Sequence, residues 1–272
     1  MAHQSADPDE KRSPLHTAWF FLLIVVMNLV MYPGIILMTV AGIVLFPVLF
    51  AVGKTFTGWQ NDRVMRWLVW VYGRAWMTMM SPFVRFKRTG FTKGGVDMPC
   101  IIVINHLSFF DTYCMALLPV SDIAFGVRSW PFKKLFWYRP FMRLANYLDL
   151  EAMGWEGTLR ECRRLFERKG AILVFPEGHR SKDGEIQRFY SGPFKLAIET
   201  GVPVLPLCIT GTDTLLPPNR WWMMPATVSL SALPPVYPRE FIDDEDTAHI
   251  NMRKHVRNMI AEHVEKMRKD RI

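Results

Sequence analysis

The chain reads as an α/β protein, a mixed, largely parallel sheet flanked by helices, with an N-terminal apolar two-helix membrane anchor. Three observations predict this. From Pro82 onward short apolar runs alternate with helical stretches, the pattern of strands joined by crossover helices. From Leu15 to Gly53 there is no Lys, Arg, Asp or Glu. Two polar segments, Asn105 to Asp111 and Pro176 to Ser181, each follow directly on an apolar strand-like run, where ligand-facing groups of such sheets sit.

A polar segment, 1–14, comes first. A single helix over the apolar run would be roughly 55 Å long at about 1.5 Å per residue, against a hydrocarbon core of roughly 30 Å. Pro33-Gly34 falls in its middle and is a natural breaker, so 15–53 reads as a membrane-embedded helical pair, crossing twice or re-entering one leaflet. Lys11 and Arg12 precede it and Lys54, Arg63 and Arg66 follow it, so both ends prefer the cytoplasmic side. A secretory signal peptide is the rival, but its apolar region is usually only about 7–15 residues. Within 54–80, Arg63, Arg66 and Arg74 alternate with Trp67, Trp70, Tyr72 and Trp76. That suits an interfacial amphipathic helix over 61–80, with an ordinary core-facing helix as the alternative.

Residues 81–272 are expected to form the main α/β domain. Strands are expected at Phe83–Lys87, Cys100–Ile104, Ile123–Val127, Ala171–Phe175, Val204–Ile209 and Thr227–Ala232. Helices are expected at Ser108–Leu118, Pro131–Leu144, Trp155–Lys169, Gly192–Thr200 and Thr247–Lys269. The last is heavily charged and belongs on the outside.

A formal charge of +8 suits an anionic partner. No zinc-ligand spacing or basic-aromatic repeat supports nucleic acid. Beside a membrane segment, anionic headgroups and acidic substrates explain the charge more simply. Basic residues cluster at Arg85, Lys87, Arg88 and Lys93, then at Arg128, Lys133, Lys134, Arg139 and Arg143; a solvated face explains each cluster equally well. Cys100, Cys114, Cys162 and Cys208 show no Cys-x-x-Cys spacing and read as buried free thiols of a reducing compartment.

Asn105-His106 ends the second strand, and Ser108 then opens a helix with Asp111 in its first turn. A carboxylate there can hold one imidazole nitrogen, fix the tautomer and stabilise the imidazolium. The other nitrogen is then free to take a proton from an alcohol. Ser108-x-x-Asp111 is also a capping box, so Asp111 serves the helix start, the imidazole, or both. In Phe175-Pro176-Glu177-Gly178-His179-Arg180-Ser181, Gly178 permits a sharp turn or a close ligand approach, and Pro176 stiffens its entry. Arg180 can fork onto a phosphate and Ser181 can add a hydroxyl donor. Glu177 is unusual in an anion site and either accepts from a substrate hydroxyl or holds Arg180 or the loop.

Together these segments resemble the signature of the glycerolipid acyltransferases, Asn-His-x-x-x-x-Asp followed by Phe-Pro-Glu-Gly-x-x-Ser, and specifically the bacterial 1-acylglycerol-3-phosphate type. The resemblance covers roughly 80–235. It extends to Gly126-Val127-Arg128 with Pro131 to Phe136, to Phe189 and Gly192, and to the proline-bearing strand Val202 to Leu207. It implies acyl transfer from a thioester, acyl-ACP or acyl-CoA as co-substrate, to a lysophospholipid hydroxyl at the cytoplasmic membrane, with no metal or other cofactor. His106 would be the general base and Asp111 its orienter; Glu177 and Gly178 would bind the glycerol portion and Arg180 the phosphate. Ser181 and Asn105 would complete the substrate site, and Arg128 would add to the phosphate site or to carrier docking. Two departures stand out: His179 where Thr is common, and Tyr147-Leu148-Asp149-Leu150-Glu151 where the second block usually closes with arginine. They leave open another acceptor, such as a lyso-aminolipid like lyso-ornithine lipid, another lysophospholipid or glycerol 3-phosphate. A reading from another class is a catalytically dead lipid-binding membrane protein. A hydrolase is disfavoured because no Gly-x-Ser-x-Gly elbow is present.

Overall fold

The computed structural model describes residues 14–92, 95–241 and 247–269. The polar segment before Pro14, with its Lys11 and Arg12 flank, and Lys93 lie outside them.

The most apolar runs became the middle of the sheet. Strands β1 (Val84–Thr89), β2 (Cys100–Ile104), β3 (Ile123–Val127), β4 (Leu148–Asp149), β5 (Ala171–Val174), β6 (Val204–Thr210) and β7 (Ala226–Ala232) lie in the order β1-β7-β6-β2-β5-β3-β4. Strands β6, β2, β5, β3 and β4 run parallel; β7 is antiparallel to β6, and β1 is parallel to β7. Every residue of β2, β5 and β6 is buried, which is why these segments read as continuous apolar runs rather than alternations. Edge strand β1 alternates and exposes Arg85 and Lys87, charges that discourage edge pairing.

Helices cover both faces: α1 (Pro14–Thr57), α2 (Asn61–Met80), α3 (Asp111–Cys114), α4 (Ser129–Lys134), α5 (Arg139–Leu144), α6 (Gly154–Glu167), α7 (Gly192–Thr200), α8 (Thr212–Leu215) and α9 (Ala248–Lys269). One core packs α1 and α2 against Ile102, Ile104, Leu207 and Leu230. The other packs α6, α7 and α9 against Ile101, Val103, Val204 and Cys208. All four cysteines are buried and free.

Three expectations are corrected. The apolar run is one continuous helix of 44 residues that passes through Pro33 and Pro47, not a pair broken at Pro33-Gly34. A proline in a helix interior costs roughly 3 kcal/mol, and packing along α2 supplies the compensation. Gly34 lies so close to α2 that a Cβ there would sit 2.7 Å from the Met79 sulfur, and one at Gly53 would sit 3.1 Å from Val64. Thr39 and Tyr72 hydroxyls hydrogen-bond across the two helices at 2.8 Å. The stretch Thr17–Thr57 is long and apolar enough to cross a membrane.

Helix α2 has the expected span but faces the core. Trp76 is fully buried and stacks on Phe110 at 5.0 Å. Arg66 is 2% exposed and joins Asp62 (3.1 Å), Asp122 (2.7 Å) and the Ala145 carbonyl (3.0 Å), tying α2 to the start of β3. Lastly, the helix expected over Pro131–Leu144 is two short helices, α4 and α5, and β4 follows as an unforeseen edge strand. Two residues of pairing, at Leu148 and Asp149, are too few to leave a periodic signal.

Candidate active site

The carboxyl ends of β2 and β5, adjacent in the sheet, carry the two motifs side by side. Their loops are stitched together through the backbone of His106: its N–H donates to Glu177 Oε1 at 2.8 Å, and its carbonyl accepts from the Ser181 N–H at 2.8 Å.

His106 Nδ1 lies 2.7 Å from Asp111 Oδ2. The same oxygen accepts the N–H groups of Leu107 (2.6 Å) and Ser108 (2.8 Å). Asp111 therefore fills both roles left open by the sequence, closing the turn that opens α3 and gripping the imidazole. It is fully buried, and its Oδ1 has no partner among the described residues. The His106 side chain keeps 17% exposure and its ring stacks on Phe175 at 4.2 Å. With Nδ1 held by the carboxylate, Nε2 is the nitrogen left for a proton.

Glu177 is 1% exposed, and its second oxygen accepts the Gln187 N–H at 2.9 Å. Burial raises its carboxyl above the usual range, against the opposing pull of these two backbone donors. Both oxygens are thus engaged in holding loops. Gly178 takes φ +70, and a Cβ there would lie 2.8 Å from the Tyr190 ring, so the turn needs glycine twice over.

Two expected ligand groups are turned inward instead. Asn105 is fully buried, and its amide pairs with both backbone groups of Ile209 on β6, at 2.9 and 2.8 Å. A side-chain amide matches a peptide group donor for acceptor, so Asn105 fixes the loop rather than meeting a substrate. Ser181 Oγ lies 2.9 Å from Asp183 Oδ1 and 2.8 Å from the Glu185 carbonyl, and its one proton is used inside the turn.

The cations differ from one another. Arg180 is exposed, and its guanidinium has no ion pair or hydrogen bond among the described residues. Arg128, at the start of α4, bonds Glu151 Oε1 at 2.6 Å, which raises its pKa. Glu151 also accepts the Ser129 N–H at 2.9 Å, and Asp149 accepts the Ser129 hydroxyl at 2.6 Å. The acids of the divergent second block thus brace the strand end that carries Arg128. Sequence reasoning missed this brace and the Phe175 platform beneath His106. Only the pairing of β3 with β4 reveals the first, since it sets Val127 beside Asp149. An open groove of about 1050 Å³ along β1 and β7, lined by Arg85, Lys87, Thr227 and Lys266, lies apart from His106.

Residues 85–210 match the family model described as Acyltransferase. The chain is 30% identical over 189 residues to a chloroplastic 1-acyl-sn-glycerol-3-phosphate acyltransferase of Brassica napus, covering 68% of this chain and 55% of that one. It is 29% identical over 151 residues to the Escherichia coli 1-acyl-sn-glycerol-3-phosphate acyltransferase, covering 53% and 60%. The chain spans about half the length of the first of these relatives. The crystal structure of the 1-acyl-sn-glycerophosphate acyltransferase PlsC from Thermotoga maritima superposes with a TM-score of 0.68 at 27% identity, covering 93% of this chain and 97% of that one. With both signature segments meeting at one sheet edge on that shared architecture, the chain belongs to the glycerolipid acyltransferase family.

Proposed function

We propose that the chain is a membrane-bound O-acyltransferase. It moves a fatty acyl group from a thioester of acyl carrier protein or coenzyme A to the free hydroxyl of 1-acylglycerol 3-phosphate, giving phosphatidate. The observation that carries this reading is the His106–Asp111 pair, bonded through the His106 carbonyl to Ser181, the residue after an exposed Arg180 whose guanidinium has no partner among the described residues. His106 Nε2 takes the proton of the acceptor hydroxyl as that oxygen attacks the thioester carbonyl. The new C–O bond forms, the C–S bond breaks, and the imidazolium returns the proton to the departing thiolate. Asp111 holds the tautomer and stabilises the imidazolium. No serine nucleophile is required, since the substrate supplies the hydroxyl. The thioester carbonyl is already activated, so the chemistry requires no metal or organic cofactor.

Arg180 meets the acceptor phosphate. Glu177 and Gly178 shape the glycerol end of the site, the former by holding the loops that flank it. Helix α1 keeps the domain on the cytoplasmic face of the bilayer, where a lysolipid reaches the site without leaving the membrane. The names of the curated relatives favour the lysophosphatidate acceptor. One observation favours a second acceptor: Glu151 partly neutralises Arg128, which suits a headgroup bearing an amine, such as a lyso-aminolipid.

The test is mass spectrometry of lipids formed when purified protein, an acyl thioester and a panel of lysolipids are mixed, with His106→Ala as the control. Product that depends on His106 is expected, with lysophosphatidate the preferred acceptor. Lysolipid bound without consumption of thioester would leave only a lipid-binding protein.

A further inference from the structure

The most exposed indole of the chain, Trp221 at 73%, and its neighbour Trp222 at 37% stand in the loop 217–224, between α8 and β7. The loop belongs to the catalytic edge, because α8 follows directly on β6, whose Ile209 is bonded to Asn105 beside His106. The two indoles pack edge to face at 5.9 Å, and the Arg220 guanidinium lies 5.3 Å from the Trp222 ring centre.

The loop is clipped to α1 through a polar residue that stands in the middle of its apolar sequence. Asn28 Nδ2 donates to the Met223 carbonyl at 2.8 Å, and the Met223 N–H donates to Asn28 Oδ1 at 2.8 Å. The Tyr32 hydroxyl donates to the Trp221 carbonyl. Met223 itself is fully buried. At this level of α1, Leu22, Val25, Leu29 and Val30 are 49–70% exposed. From Leu22 this uncharged apolar surface continues along the helix to Val52. So long an uncharged stripe fits hydrocarbon rather than a folded partner, and tryptophan is the side chain that settles at the edge of hydrocarbon.

We propose that the 217–224 loop is a second lipid-inserting element, in which Trp221 and Trp222 enter the bilayer interface at the depth of α1 residues 24–32. Asn28 sets that depth, and Arg220 is left at the headgroup phosphates. The catalytic edge is thereby held against the membrane at two places instead of one. The proposal rests on the membrane reading of α1.

The full chain carries the test. Trp221→Cys, Leu37→Cys on the exposed face of α1 and Lys254→Cys on α9 are each labelled with a polarity-sensitive fluorophore; the native cysteines are all buried. Vesicles of phosphatidylethanolamine and phosphatidylglycerol, with and without doxyl-labelled lipid, are then added. The labels at 221 and 37 should shift to the blue and be quenched by doxyl lipid, while the label at 254 stays in water. Quenching at 37 with no response at 221 would overturn the loop proposal and leave the membrane reading standing. No response at either position would overturn both.

Discussion

Asp111→Asn separates the two tasks of that carboxylate. In the protein one oxygen accepts from the imidazole, Leu107 and Ser108, and the other is buried without a partner among the described residues. An asparagine can keep its carbonyl oxygen towards all three donors, and its amide nitrogen then falls where nothing accepts. That strands a buried donor and costs about 1–3 kcal/mol of stability. The catalytic loss is separate. A unit charge about 4 Å from the imidazolium is worth on the order of 4 kcal/mol at an effective dielectric near 20, so kcat should fall by roughly 10²–10⁴-fold, the span ascribed to general-base catalysis. KM for the acceptor should change little, because the charge acts mainly once the imidazolium forms. Initial rates at saturating thioester, with Tm measured on the same samples, decide the matter. A lower Tm with kcat within a few-fold of the parent would show that Asp111 only closes the turn, and the dyad argument would be wrong.

Other substitutions probe the remaining parts. Glu177→Gln cannot accept from both the His106 and Gln187 amides, so Tm should drop by the equivalent of about 1–3 kcal/mol; an unchanged Tm with a raised acceptor KM would assign Glu177 to glycerol instead. Arg180→Ala removes a charge-assisted contact worth about 1.5–3 kcal/mol, so KM for a phosphate-bearing acceptor should rise roughly 10–100-fold. An equal effect with an uncharged lysolipid would count against phosphate binding. Arg66→Leu removes the one buried cation shared by Asp62 and Asp122, leaving them only the more exposed Arg168 and Arg63, and should destabilise by about 3 kcal/mol in denaturant titration. Burial pushes the Asp62 carboxyl up, but Arg66 and Arg168 outweigh it and leave the pKa lowered. A lowered carboxylate pKa gives stability that is present above the unfolded value, about 4, and is lost as pH falls through the folded one. Arg66→Leu should therefore flatten the acid limb of a Tm–pH profile; an unchanged limb would mean Arg66 does not govern Asp62.

The sheet was legible because its central strands are buried on both faces. Cys100–Ile104 and Ile123–Val127 begin and end where their apolar runs do. Boundaries were lost where tertiary contacts set them. Pro33 breaks an isolated helix, yet α2 lies against α1 and the helix continues through that point, and no local pattern in 15–53 announces the neighbour. The tryptophans of 61–80 look the same in sequence whether they meet lipid or protein, and Trp76 meets Phe110, which lies far along the chain. Likewise the pairing of the imidazole with its carboxylate was readable from Asn-His-x-x-x-x-Asp, whereas the Arg128–Glu151 pair required the pairing of β3 with β4.

The site also shows why a signature cannot be taken residue for residue as a list of ligand contacts. Of the eight residues singled out, Asn105, Glu177 and Ser181 direct their polar atoms to backbone groups of a neighbouring strand or loop. Their targets are specific: Asn105 fixes β2 to β6, Glu177 fixes the His106 loop to the segment leading to α7, and Ser181 closes the turn behind Arg180. A general base contributes only when its nitrogen is held within hydrogen-bond reach of the proton it takes, and loops at strand ends have few other restraints. The buried Glu177 carboxylate is the strongest case. Burial disfavours its charge, and two backbone N–H groups hold it in place. A glutamine, with one acceptor oxygen, could not accept at both positions. In such a motif the acid is required for the shape of the site, and on the proposed reading His106 and Asp111 do the proton transfer and Arg180 the phosphate binding within it.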